Sequence, residues 1–450
     1  MEKKKNIAGS ISGNDSGNGL GGVSDNRKDN GGGGRLFSPN FLLLIGGQIS
    51  SLFANTILRF ALSMYILELT GSASVFAGLL AAAMIPTILL SPFGGILADR
   101  ANRRNIMVAL DFLSGVTAFF TVVFIRESNA VVTVGAALIT LSVLGAFESP
   151  TVQAAVPQMQ KGENIFKANA VVNQVAAVAA LIAPFLGSAC YSAFGLKPVL
   201  AVSTAFFFLT ALLEVFIHLP FVKQEAARGF GAMIREDFRI SIRFLTKEDP
   251  QILKMLIAVA AVGFFLMGIA NVGLPFLIRT HLGLGAQYVG IAESVCGATA
   301  VLGSVLVGVG LKYMKASHMY LYSVAMGVCM IPMGLAFLQK GVMPVYLVIL
   351  LSMAVIQVLV SMFSIYCMSL IQQRTPNAIL GKVMSYVSTI TLCVQPAGQM
   401  LYGLLFDSFP DNVMWIMIGS AVCVILFSIA MRGAFREEQR PDCGQCEAAV

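Results

Sequence analysis

Apolar residues run along the chain in stretches of about 20, separated by short polar breaks. A helix of that length, rising about 1.5 Å per residue, spans the ~30 Å hydrocarbon core of a membrane. The pattern predicts twelve such helices: 41–67, 74–97, 105–125, 131–149, 169–193, 198–218, 252–278, 288–311, 318–338, 344–370, 384–406 and 412–432. We therefore expect an all-α membrane protein with twelve transmembrane helices.

One long polar break divides the predicted helices into two bundles of six. Within it, residues 224–249 place apolar side chains at helical spacing with Arg and Lys between them. This indicates a basic amphipathic helix on the membrane surface, with a helix that binds a partner protein as the alternative. The predicted segments are a disordered tail (1–38), an N-terminal bundle (39–220), a linker (221–250), a C-terminal bundle (251–433) and a second tail (434–450).

Composition and charge support this interpretation and predict an orientation. Of the 450 residues 57% are hydrophobic and only 12% are charged, which excludes a soluble enzyme and a nucleic-acid-binding protein. With a cytoplasmic N-terminus, 25 of the 30 Lys and Arg fall in cytoplasmic segments and four in outer segments. That asymmetry follows the positive-inside rule, so we expect both termini in the cytoplasm.

No pattern in the sequence predicts a cofactor or a metal. A GxxxxGK[ST] loop for nucleotide phosphates is absent from the chain, and its three His residues are far apart. Cys443 and Cys446 form a CxxC pair in the C-terminal tail but lack the further ligands that zinc requires. We therefore expect neither an enzymatic reaction nor a process driven by ATP.

The two bundles share local sequence features. APFLG at 183–187 and QPAG at 395–398 each place a Pro before a Gly in the middle of a predicted helix. The cytoplasmic loops before them, 156–169 and 371–383, also correspond. This spacing indicates duplication of a six-helix unit, an arrangement that many transporters have.

A charged motif follows the second predicted helix. Gly95, Asp99, Arg100, Arg103 and Arg104 belong to a stretch that reads G-x-L-x-D-R-x-x-R-R. It resembles motif A of the major facilitator superfamily. An Asp at a helix end can meet the positive N-terminus of a neighbouring helix, and the arginines can hold the cytoplasmic side shut. The alternative is that the arginines only set the membrane orientation.

The resemblance extends over residues 40–432. Within the superfamily it indicates one particular branch. Segments 46–78 and 147–175 are similar to the branch of macrolide-efflux and enterobactin exporters. That branch implies a monomer in a bacterial plasma membrane that works by alternating access, usually as a proton antiporter. The helix-5 antiporter motif GPxxGG is present only in part, around Pro184 and Gly187, because two of its glycines are replaced.

Charged residues at membrane depth are candidate functional sites because each is costly unless paired or hydrated. They are Arg59, Asp111, Glu148, Glu214 and Glu293. We expect Glu214 to extend to the inner surface, and Asp111 to pair with the motif arginines or carry protons. Glu148 is expected to line the cavity or carry protons, and Glu293 is a further candidate for proton coupling. Arg59 is expected to meet Glu293 when the outer side closes, with an anionic part of the substrate as the alternative partner.

Uncharged polar residues extend the predicted cavity on the helices that line it in this family. They are Gln48, Asn55, Asn271 and Gln357. The sequence thus predicts a proton-coupled exporter of an amphipathic small molecule, such as a macrolide-like drug or a siderophore-like metabolite. The alternatives are an uptake or lysolipid carrier of the same fold and a membrane sensor that transports nothing.

Overall fold

The computed structural model describes residues 36–219, 249–310, 314–376 and 379–435. The predicted linker helix, nearly all of both predicted tails and the Cys443/Cys446 pair lie outside the described residues. The surroundings of Gly95 and the side chain of Asp99 also lie outside them, although both residues belong to a described helix.

Twelve long helices form the described part of the chain, and they match the twelve predicted stretches in order. They are α1 (Pro39–Thr70), α2 (Ala73–Arg100), α3 (Arg103–Phe124), α4 (Ala130–Met159), α5 (Asn164–Phe194), α6 (Leu196–Val215), α7 (Pro250–His281), α8 (Ala286–Gly310), α9 (Met319–Leu335), α10 (Val342–Arg374), α11 (Leu380–Ser408) and α12 (Val413–Ala430). Within α7, the segments Ile269–Gly273 and Leu277–His281 are π-helical. The prediction of twelve helices is confirmed.

Local sequence sets the helix ends. Ser38 caps α1 by accepting a hydrogen bond from the N–H of Phe41 at 3.3 Å. Gly71 ends α1 at φ 61°, a left-handed conformation that glycine adopts without strain. Directly after it, the Ser72 hydroxyl accepts from the N–H of Val75 and begins α2. A tight turn therefore joins α1 and α2.

Eleven of the twelve helices are long and apolar enough to cross a membrane by length and composition. The other one is α11, whose 29 residues include Thr389, Thr391, Gln395 and Gln399. Helix α11 nevertheless packs along α7 and α2 inside the bundle. Its polar side chains therefore belong to a helix that has neighbours in both halves of the molecule.

The helices form two halves with the same internal pairing. In the first half α1 packs on α5, α2 on α4, α3 on α4 and α3 on α6. In the second half α7 packs on α11, α8 on α10, α9 on α10 and α9 on α12. These four pairs of the first half recur six helices later, which supports the duplication that the sequence indicated, whereas the extensive packing of α1 on α6 has only a small counterpart between α7 and α12.

Two helix pairs join the halves: α2 with α11, and α5 with α8. Small residues allow their close approach. A Cβ atom on Gly403 would lie 2.6 Å from the Cβ of Ala77, and one on Gly290 would lie 2.7 Å from the carbonyl oxygen of Pro184. Both distances are too short for a real side chain, so glycine is required at each position while the halves are packed this way.

Candidate functional site

A central cavity of 540 Å³ lies between the two halves. Helices α1, α2 and α4 contribute to its wall from the first half, and α7, α8 and α11 from the second. Most of the wall is apolar, including Phe60, Met64 and Met84. Pockets of this size and character hold drug-sized molecules.

Three predicted site residues line this cavity: Arg59, Asn271 and Glu293. Arg59 lies on α1, Asn271 on the π-helical segment of α7, and Glu293 on α8. A π-helical turn disturbs the regular pattern of backbone hydrogen bonds and occurs often at functional sites. The side chain of Asn271 is exposed to the cavity, whereas Glu293 is half-buried.

The expected ion pair between Arg59 and Glu293 is absent, although both side chains belong to the described residues. Arg59 Nε donates to Asn55 Oδ1 at 2.6 Å, and its Nη1 donates to Ser142 Oγ at 3.1 Å. The acid whose charge acts on the guanidinium is Glu148. Arg59 therefore stays with its own helix and with α4, because those partners are closer than the opposite half.

Three carboxyl groups lie together beside α1, and two of them contact Ser51. The Ser51 hydroxyl lies 2.7 Å from Asp111 Oδ1 and 3.2 Å from Glu148 Oε1. Because a hydroxyl has one proton, it donates to one of these acids at a time. Glu214 completes the set by facing Asp111 from α6. We call Asp111, Glu148 and Glu214 the acid cluster.

The prediction that Glu214 extends to the membrane surface is wrong. Glu214 is 1% exposed, and neither carboxyl oxygen has a hydrogen-bond partner among the described residues. Its side chain lies against Gly47 of α1, whose missing side chain leaves room for it. Asp111, 2% exposed, likewise has an unpartnered Oδ2 within the described chain.

Asp111 does not pair with the motif arginines, since its neighbours are Ser51 and the other two acids. Arg103 donates to the carbonyl oxygens of Ala98 and Ala154, at 2.9 and 2.7 Å. Arg104 donates to the carbonyl oxygen of Val215, the last residue of α6. In this structure these two arginines therefore stabilise helix ends of the first half. Arg100 is exposed.

The remaining predicted residues have supporting positions or lie elsewhere. Gln48 lines a second cavity together with Glu148. A Cβ atom on Gly187 would lie 3.3 Å from the Cα of Ile57, so the lack of a side chain at Gly187 allows α5 to pack closely on α1. Gln357 on α10 is half-buried and is not among the residues that line either cavity.

Sequence reasoning missed the residues that fasten the two halves at the end of the molecule where α1 ends and α2 begins. Arg279 on α7 forms a 2.9 Å ion pair with Glu68 on α1, and Tyr191 on α5 donates to the same Glu68 at 2.8 Å. Arg279 also donates to the carbonyl oxygen of Leu284. These residues fall beside predicted helix ends, where hydropathy gives no signal.

Asp407 on α11 provides a second fastening at that end. Its carboxylate accepts hydrogen bonds from the backbone N–H groups of Ala73 and Ser74, at 2.7 and 2.9 Å. The hydroxyls of Ser72 and Ser74 donate to it as well. A carboxylate from one half thus caps the N-terminus of α2 in the other half. We call Glu68, Arg279 and Asp407 the latch.

The chain matches a known protein family. The family model described as Major Facilitator Superfamily matches residues 44–394. The chain belongs to the major facilitator superfamily. It is therefore a multi-pass membrane protein and a transporter of that superfamily, whose members carry small molecules.

Curated relatives in the superfamily are distant but extend over most of the chain. Macrolide efflux protein A of Streptococcus pyogenes is 22% identical over 88% of this chain and 96% of its own length. The Staphyloferrin A transporter of Staphylococcus aureus is 23% identical over 64% of this chain and 70% of its own.

Solved structures share the fold at low identity. The nucleoside transporter NupG superposes with a TM-score of 0.69 at 14% identity, covering 89% of this chain and 100% of that one. A bacterial homologue of the iron transporter ferroportin gives 0.69 in its inward-facing state, at 14% identity, with 87% of this chain and 98% of that one covered. The same homologue gives only 0.55 in its outward-facing state, at 15% identity and 88% and 99% coverage.

Proposed function

We propose that this transporter exports an amphipathic small molecule, macrolide-like or siderophore-like, from the bacterial cytoplasm across the plasma membrane. The central cavity carries this proposal, because its wall is mostly apolar and presents charges from both halves, Arg59 and Glu293. Such a wall suits a ligand with a large apolar body and a few polar groups. Relatives named for macrolide efflux and for staphyloferrin A support the two substrate classes.

The conformation supports alternating access. The latch joins the halves at the end where α1 meets α2, which is the outer side if the termini are cytoplasmic. The better superposition on an inward-facing than on an outward-facing homologue points the same way. In the proposed cycle the latch releases while Asp99 and the arginines of motif A close the cytoplasmic side.

The acid cluster is the proposed site of proton coupling. Three carboxyls and one guanidinium lie close together at membrane depth, so ionising all three acids would leave excess negative charge there. Taking up a proton allows Asp111 and Glu214 to share a hydrogen bond, which satisfies one unpartnered oxygen of each. Because the charge of Glu148 acts on Arg59, loss of the proton from the cluster would change the force on the Arg59 guanidinium.

Everted membrane vesicles test the function, because they expose the cytoplasmic face to the medium. With an acidified lumen, we expect erythromycin or staphyloferrin A to accumulate in the lumen above the level in vesicles without the transporter, which measures passive trapping of the basic macrolide, and a protonophore should abolish this excess. Accumulation only in right-side-out vesicles would show import instead. Absence of flux for both compounds, with and without a gradient, would contradict the proposal and favour a sensor.

A further inference from the structure

A second cavity, of 570 Å³, lies inside the first half between α1, α4 and α5. Polar side chains of all three helices line it: Gln48, Glu148, Ser149, Gln153, Asn169 and Asn173. Its wall is therefore much more polar than the wall of the central cavity. We call this space the polar pocket.

The polar pocket adjoins the central cavity at Gly145 on α4, which lines both. A Cβ atom on Gly145 would meet no other atom within 4 Å. The passage between the cavities is thus open at this glycine, and a larger side chain there would project into it. A single ligand can occupy both spaces at once.

An unpartnered donor marks the polar pocket as a binding site. Gln48 lines it and is 6% exposed, and its Nε2 has no hydrogen-bond partner within the part of the chain that the structure describes. A buried donor left without an acceptor is costly, and native structures seldom contain one without a reason. Because this Nε2 is inaccessible to solvent, the Gln48 amide has to rotate in order to donate to a ligand oxygen in the pocket.

The charge around the pocket favours a cation. Glu148 lies in its wall, Asp111 and Glu214 lie behind Glu148, and Arg59 is the basic group acting on Glu148. Glu148 is the acid of the cluster that lines the pocket, so a positive ligand can take the place of the proton that neutralises it when the pocket is empty. The amide side chains of Asn169 and Asn173 add both donors and acceptors for neighbouring groups of the ligand.

We propose that the polar pocket binds a protonated amine flanked by hydroxyl or carbonyl oxygens, borne by a substrate whose apolar body occupies the central cavity. The amine donates to Glu148, and a neighbouring oxygen accepts from Gln48. Gly145 leaves room for the link between the two parts of the substrate. This inference rests on the proposed function and specifies the substrate class of that site.

Binding of two labelled probes to the purified protein tests it. The first is erythromycin, a macrolide whose amino sugar is protonated at neutral pH, and the second is its N-demethyl-N-acetyl analogue, which has no such charge. Glu148→Gln removes the acceptor charge, and Gly145→Leu blocks the passage without altering Glu148. Glu163→Gln, at an exposed acid, and Gly419→Leu, at an exposed glycine with open space around it, are the matched controls.

Wild type should bind erythromycin at least about tenfold more tightly than the analogue, the usual size of a hydrogen bond to a charged group. Both test variants should lose most of that difference, and both controls should keep it. Equal losses for the two probes, or no loss in either test variant, would overturn the polar pocket as the amine site. A wild type that binds neither probe would overturn the proposed macrolide substrate and this inference with it.

Discussion

Single residues show how a membrane interior tolerates acids. Asp111, Glu148 and Glu214 lie where an isolated carboxylate costs several kcal/mol. Ser51 has one proton for two of them, and the Glu214 oxygens have no donor in the described chain. Neutral carboxyls that bond to one another resolve the conflict. This arrangement is the basis of the proposed proton coupling.

Replacing Glu214 tests that arrangement. Glu214→Gln should leave the thermal unfolding midpoint in detergent nearly unchanged, because an amide can donate to Asp111 as a protonated carboxyl does. Glu214→Leu should lower stability by about 1–3 kcal/mol, since it leaves a buried oxygen of Asp111 without a donor. Equal destabilisation by both substitutions would show that Glu214 is ionised.

Replacing Asp111 tests the proposed proton coupling separately from substrate binding, because Asp111 does not line either cavity. Asp111→Asn should reduce export driven by a pH gradient about tenfold or more, while counterflow exchange without a gradient stays within about threefold of wild type. Only the driven reaction needs a proton to bind and leave. The exposed Glu163→Gln is the control, and equal losses in both assays would assign Asp111 to structure.

At the scale of elements, the contact between α2 and α11 holds the halves together at one end. The first N–H groups of a helix have no partner inside the helix and carry the positive end of its dipole. Asp407 supplies acceptors to two of them from the other half. In the proposed alternating-access cycle, this bond exists only while that end is closed, so it stabilises one state of the cycle.

Asp407→Asn should therefore favour opening at that end. Capping by a charged residue contributes about 0.5–2 kcal/mol, so the open population should rise roughly twofold to thirtyfold. The measurement is labelling of Ser63→Cys, which lines the central cavity, by an impermeant thiol reagent added outside to an otherwise cysteine-free protein. Asp411→Asn, at an exposed acid of the adjacent loop, should leave labelling unchanged. Reduced or equal labelling in Asp407→Asn would contradict the latch.

At the scale of the whole molecule, two halves that share most of their internal helix pairs enclose a cavity between them. The pairs α2–α11 and α5–α8 are placed symmetrically, so either end can close by the same kind of contact. The ion pair of Glu68 and Arg279 adds a charge contact to the end that is closed here. Its two side chains remain about a quarter exposed, so we expect a modest contribution.

Exchanging the charges of this pair tests its role in the closed state. Arg279→Glu alone places two acids together and should raise outside labelling of Ser63→Cys several-fold. The double variant Glu68→Arg with Arg279→Glu should return labelling most of the way to wild type, although Tyr191 loses its acceptor. Failure of the double variant to restore any closure would mean that the pair does not hold the halves together.

The sequence by itself determined the twelve helices, their order and the acids placed at membrane depth. Hydropathy is a local property, and a membrane-spanning helix satisfies its own backbone, so 20 residues suffice to specify one. The twelve predicted stretches consequently match the observed helices. Candidate site residues such as Arg59, Asn271 and Glu293 could be found in the same way, because polar groups stand out in apolar stretches.

Only the tertiary structure decided which of these groups meet. Arg59 lies with Asn55 and Ser142 instead of Glu293, and Glu214 lies buried beside Asp111 instead of reaching the surface. Asp407 meets Ser72 across 335 residues of sequence. Pairings at such separation depend on how the helices pack and rotate against one another, and many rotations satisfy the same hydropathy. The choice among them comes from small residues at close contacts and from polar partners on other helices.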